Sequence, residues 1–113
     1  MAYYLIQASY TPEAWAAMIK NPQPRGNALQ PVIQKLGGKI ESLYLAFGEY
    51  DTVGVFSLPT NVDIAAFSIA AAAGGGVRSI KTTPLMTVEE GREAMNKAAR
   101  SGYVPPQAAA AGV

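Results

Sequence analysis

Two apolar, β-prone runs, one ending at Phe47 and one opening at Thr52, flank the tetrapeptide Gly48-Glu49-Tyr50-Asp51. β-Branched and aromatic side chains on both sides of so short a polar break read as a β-hairpin. A hairpin in the middle of a chain this short leaves only the flanking segments to supply outer strands and covering helices. It points to one small α+β domain. The same turn gathers a tyrosine, two carboxylates and a glycine.

The 113 residues suffice for one domain with its own core, and half of them are hydrophobic. The formal charge of +1 gives no general attraction to nucleic acid or to an anionic membrane surface. The chain contains no cysteine and no histidine. Disulfides, thiolate chemistry and imidazole-bound metal or haem are therefore excluded, as is the usual general base near neutral pH. The expectation is a protein with no metal and no cofactor. Tyr3-Tyr4-Leu5-Ile6 follows the first two residues without a basic region or a long apolar run, so no signal peptide is read. Ile64–Ala73 is too short to span a bilayer, and a cytoplasmic location is expected.

Along the chain, Tyr3–Ser9 reads as a first strand. Thr11-Pro12-Glu13 then supplies an N-cap hydroxyl, a proline at the first helical position and an early acid. The helix carries Trp15, Met18 and Ile19 on one face and stops at Asn21-Pro22-Gln23-Pro24. A second helical stretch, Arg25–Leu36, has Ala28, Leu29, Val32, Ile33 and Leu36 as its stripe. Pro31 predicts a kink or a fresh start within it, and Gly37-Gly38 ends it. Strands over Lys39–Phe47 and Thr52–Leu58 form the hairpin. Thr60 to Asp63 looks like a capping box for a helix over Val62–Ala73, whose few polar residues predict burial. Gly74-Gly75-Gly76 follows a helix instead of preceding one, which marks a helix stop and not a phosphate loop. Val77–Met86 reads as a fourth strand, with Pro84 suited to an edge. Thr87 to Glu90 caps a charged final helix reaching about Arg100. Residues 101–113 form an apolar tail with Tyr103 and Pro105-Pro106, either disordered or an arm onto a neighbouring subunit, outside a single domain over 1–100.

The order β-α-β-β-α-β plus a C-terminal helix is the ferredoxin-like arrangement, an antiparallel sheet with helices on one face. Alternation in the strands leaves neither sheet face plainly polar: Tyr3 and Leu5 share one side of the first strand, Tyr4 and Ile6 the other. A homo-oligomer, dimeric or higher, whose sheets pack face to face is therefore expected.

Several segments together resemble the GYD domain family: Tyr4-Leu5-Ile6, Tyr10-Thr11, Leu36-Gly37-Gly38-Lys39-Ile40, Ser42-Leu43-Tyr44, Gly48-Glu49-Tyr50-Asp51, and the run from Gly76 to Leu85. The family's eponymous residues fall at Gly48, Tyr50 and Asp51. The resemblance covers roughly residues 3–90. It implies a ferredoxin-like fold of the dimeric α/β-barrel type in a small bacterial or archaeal protein, and it implies little about function.

Three candidate sites emerge. In the turn, Glu49 or Asp51 offers an acid–base or hydrogen-bonding group and Tyr50 an aromatic wall; the competing reading is hairpin chemistry, with Gly48 supplying a special backbone conformation and Asp51 holding nearby N–H groups. The second is an aromatic set, Tyr3, Tyr4, Tyr10, Trp15, Tyr44, Phe47 and Phe56, which lines either a pocket between sheet and helices or an ordinary core. The third joins Arg78, Lys81, Thr82 and Thr83 to Lys20 and Arg25 for an anionic substrate, against the role of lysine as an edge-strand guard. The ligand-binding candidates are Tyr44, Gly48, Glu49, Tyr50, Asp51, Arg78 and Lys81. The preferred reading is an oligomeric binding module for a small organic ligand. The alternatives are a cofactor-free enzyme of the dimeric α/β-barrel monooxygenase or isomerase sort, by fold analogy, and a structural or regulatory assembly module.

Overall fold

The computed structural model describes residues 1–106. The elements run β1 (Ala2–Tyr10), α1 (Pro12–Lys20), α2 (Arg25–Lys35), β2 (Lys39–Leu45), β3 (Thr52–Leu58), α3 (Asn61–Ala73), β4 (Val77–Leu85) and α4 (Val88–Ala99). The four strands form one antiparallel sheet in the order β2-β3-β1-β4. The architecture is α+β and fits a ferredoxin-like fold, with the first crossover split into two helices by the proline pair at 22 and 24. No helix among the described residues is long and apolar enough to cross a membrane.

The helix starts follow from local chemistry. The Thr11 hydroxyl accepts the Ala14 N–H at 3.1 Å, and Thr60 and Thr87 close reciprocal boxes with Asp63 and Glu90. Each such cap contributes about 1 kcal/mol. Gly37, in the left-handed region at φ 86°, ends α2, and the Gly38 N–H returns to the Ile33 carbonyl at 2.9 Å.

One sheet face carries the core. Tyr4, Ile6, Phe56 and Leu58 pack beneath Ile33 of α2 and Ile64 and Phe67 of α3. Phe56 and Phe67 meet tilted at 5.5 Å. Burying each of these large apolar side chains contributes about 1.5–3 kcal/mol. The two buried phenols are satisfied: Tyr4 donates to Asn61 Oδ1 at 2.6 Å, and Tyr10 accepts from the Thr52 hydroxyl at 2.6 Å.

Several details depart from expectation. The register of β2 on β3 shifts between Ile40 and Ser42, so Glu41 is an extra residue opposite the ladder. This bulge moves Ile40 onto the core face with Leu43 and Leu45 and leaves Tyr44 opposite Val53 on the other side; simple alternation groups Ile40 with Tyr44. β2 stops at Leu45 instead of Phe47, because the chain turns at Ala46, whose N–H bonds the Asp51 carbonyl at 2.8 Å. α2 runs unbroken through Pro31, with no fresh start. α3 is mostly exposed, not mostly buried. Only Ile64 and Phe67 are fully buried, since one face of a helix lying on a sheet is narrow and all its alanines but Ala71 turn outward. β4 is an edge strand ending at Leu85, with Pro84 in it, as its sequence predicts.

Among the described residues no helix covers the second sheet face. Tyr3, Leu5 and Gln7 of β1, Val53 and Val55 of β3, and Lys81, Thr83 and Leu85 of β4 share it through their cross-strand pairing. α4 leaves this body altogether: every residue is exposed except the partly covered Gly91. Its apolar stripe of Val88 and Met95 meets water, and the ion pairs Glu89–Arg92 at 2.9 Å and Glu93–Lys97 at 3.9 Å lie along its surface. Beyond it Ser101–Pro106 is exposed; the rest of the tail lies outside the described residues.

Candidate functional site

The hairpin turn is bound to β1. Asp51 Oδ2 accepts the Tyr10 N–H at 2.9 Å, the Asp51 N–H donates to the Ala8 carbonyl at 2.8 Å, and the Ser9 hydroxyl donates to the Glu49 carbonyl at 3.1 Å. All three partners on β1, Ala8, Ser9 and Tyr10, are buried, so these bonds sit where an unmet polar group is costly. The aspartate therefore does structural work, holding the turn over the end of the uncovered sheet face. Gly48 does not supply an unusual backbone: its φ is not positive, and a side chain added there would meet nothing within 4 Å.

Over that face the turn forms a shallow polar cleft of about 390 Å³, in which Gly48, Glu49 and Tyr50 face Gln7, Val53 and Lys81. The structure thus brings together the turn and Lys81 from two separate sequence segments. Phe47, at the tip, is fully exposed. Arg78 lies elsewhere. The register shift between Ser9 and Tyr10 leaves it unmatched on β4, and it shares a second shallow cleft with Tyr10, Trp15, Ile19 and Asp51. Arg25, Arg78 and Lys81 thus line three different clefts, and Thr82 meets the Ser68 hydroxyl at 3.2 Å.

A larger cavity among the described residues lies at the elbow between α1 and α2. It measures about 600 Å³ and opens between Trp15, Met18 and Ile19 of α1, the segment Pro22–Gly26, and Leu43, Tyr44 and Leu45 of β2. A volume in the range of small-molecule sites, walled mostly by carbon, suits a largely apolar guest. Trp15 is fixed by an edge-to-face contact with Tyr10 at 5.4 Å. At the base Gly26 leaves room: a side chain there would come 3.7 Å from Leu43 Cδ2. The interior beyond, between sheet and helices, keeps only about 40 Å³ and is filled by core residues.

Of the aromatic set, Trp15 and Tyr44 line the elbow, Tyr4, Tyr10 and Phe56 are buried, and Tyr3 lies on the uncovered sheet face. Among the elbow residues, the sequence alone marks none of Met18, Pro22, Gln23, Pro24, Gly26, Leu43 and Leu45 as a ligand candidate. The available signal was geometric: two prolines spaced to stop one helix and open another leave a gap beside an edge strand.

The α+β architecture, with this strand order and a hairpin turn of Gly-Glu-Tyr-Asp, is compatible with a small ferredoxin-like domain. The sequence model of the GYD domain matches residues 4–95, and the chain belongs to the GYD domain family. No curated protein matches it. Among solved structures it is similar to the crystal structure of FFRP-DM1, with 14% identity, 76% of this chain and 100% of that chain covered, and a TM-score of 0.48.

Proposed function

We propose that this GYD-domain protein is a binding module for a small organic ligand, assembled as a homo-oligomer through its uncovered sheet face in the manner of dimeric α/β barrels. The elbow cleft carries the first half of the reading. It is of ligand size, it is lined by Trp15, Met18, Leu43 and Leu45, and it lies between a helix and the sheet. The uncovered face supports the second half, since Tyr3, Leu5, Val53, Val55 and Leu85 lie on it and Phe47 projects from the turn beside it.

Native mass spectrometry of protein isolated from its source reports subunit number and co-purified ligand together. The expected result is a multiple of the chain mass with a small-molecule adduct. Gly26→Leu keeps a regular helix and fills the cleft base against Leu43, so it removes the adduct while the fold persists. A lone, adduct-free subunit at micromolar concentration sinks both halves.

A further inference from the structure

We infer that the elbow cleft selects an apolar molecule ending in a single negative charge, a monocarboxylate with a hydrocarbon body, and that Arg25 reads the charged end. The inference rests on the binding-module reading above and adds the chemical class of the ligand.

Arg25 is the only charged residue among those lining the cleft, and no acid accompanies it there. It is half-buried, and the first turn of α2 contains no acidic residue to neutralise it. Among the described residues it joins neither an ion pair nor a side-chain hydrogen bond. An apolar guest entering such a cleft strips water from the guanidinium. A neutral guest offers nothing in exchange for that lost hydration, whereas a carboxylate replaces it with charge-assisted, fork-shaped hydrogen bonds. A cationic guest meets like charge and no acid. One fixed positive charge matches a monoanion and leaves a phosphate dianion half-compensated. The rest of the lining, Trp15, Met18, Leu43 and Leu45, holds the hydrocarbon part.

Trp15 is the chain's one tryptophan and stands in the walls of both this cleft and the Arg78 cleft, so its fluorescence reports occupancy of either, and the Arg25 variants tell the two apart. The test titrates the full chain with octanoate and with octan-1-ol, two probes of the same length that differ in the charged end. Octanoate is expected to bind about tenfold more tightly, the scale of one partly screened charge-assisted contact. Arg25→Gln erases that preference and leaves octanol affinity in place; Arg25→Lys, which keeps the charge, restores part of it. Added salt weakens octanoate and spares octanol. Equal affinity for the two probes, or a preference that survives Arg25→Gln, overturns the assignment of the charged end while the binding-module reading stands. If neither probe changes Trp15 emission, and Gly26→Leu alters nothing, the cleft is not a binding site and both readings fall.

Discussion

The hairpin turn and the α1–α2 elbow make opposite uses of their residues. The turn is rich in groups that look chemical, and several of its polar atoms are already engaged: the Asp51 carboxylate and N–H and the Glu49 carbonyl all bond β1. The elbow has one charged side chain, the Gln23 amide and the Tyr44 phenol among mostly apolar walls, yet it leaves an open cleft of about 600 Å³. Polar residues at a tight turn are first needed to satisfy the backbone there. A cavity needs only elements that fail to close on each other. Conspicuous chemistry and available space are therefore separate properties in this fold.

The largest test of that contrast is at Gly54, which backs onto the elbow residue Leu43. A side chain there would lie 2.7 Å from the Ser42 carbonyl and 3.0 Å from both Leu43 Cδ1 and Phe56 Cε1. Gly54→Ala is expected to cost about 2–3 kcal/mol in urea unfolding through overpacking, and to disturb the elbow wall through Leu43. An unchanged midpoint would show that the sheet yields easily at this point.

Asp51→Ala comes next. It strands the Tyr10 N–H and should cost about 1–3 kcal/mol, with Asp51→Asn recovering part because its amide oxygen still accepts. If Asp51→Ala leaves the urea midpoint unmoved but abolishes binding of a probe, the turn is a ligand site and the contrast breaks. Leu45→Ser inverts the pattern. Leu45 is 62% exposed in the elbow wall, so stability should move by less than about 0.5 kcal/mol while affinity for an apolar probe falls several-fold.

Smaller still is Gly48→Ala. With no positive φ and nothing to strike, it should be neutral or stabilise by up to about 1 kcal/mol through the unfolded chain. A clear loss of stability would restore a special backbone role to that glycine. The smallest effect belongs to a region outside both. Hydrogen bonds from the Thr87 N–H and hydroxyl hold the Glu90 carboxyl below its ordinary range. Its folded-state pKa is depressed, so its contribution is present above the ordinary carboxylate pKa and fades as pH falls through the lowered value. Helicity of α4 should decline over that acid window, and Glu90→Gln should flatten the response in far-UV circular dichroism.

The elements themselves were legible because their signals are local. Thr11, Thr60 and Thr87 cap the helices that their positions predict, and Gly37 stops α2. The side-chain grouping on β2 was not legible, because one extra residue at Glu41 reverses the alternation and no residue type announces it. The exposure of α3 was misread because alanine is equally at home on either side of a helix. The turn was found from its residues. The elbow was legible only in part: Trp15 and Tyr44 stood in the aromatic set, but Met18 and Ile19 read only as one face of a helix, and no residue type announces a gap between α1, α2 and β2.

The bare surface of α4 has a thermodynamic consequence. Twelve residues are about the shortest length at which a helix holds in water on its own, and this one gains no burial from the sheet in a single subunit. Heating a dilute sample should therefore yield two curves in place of one: ellipticity begins to fade first as the appendage frays, while Trp15 emission holds until the sheet itself gives way.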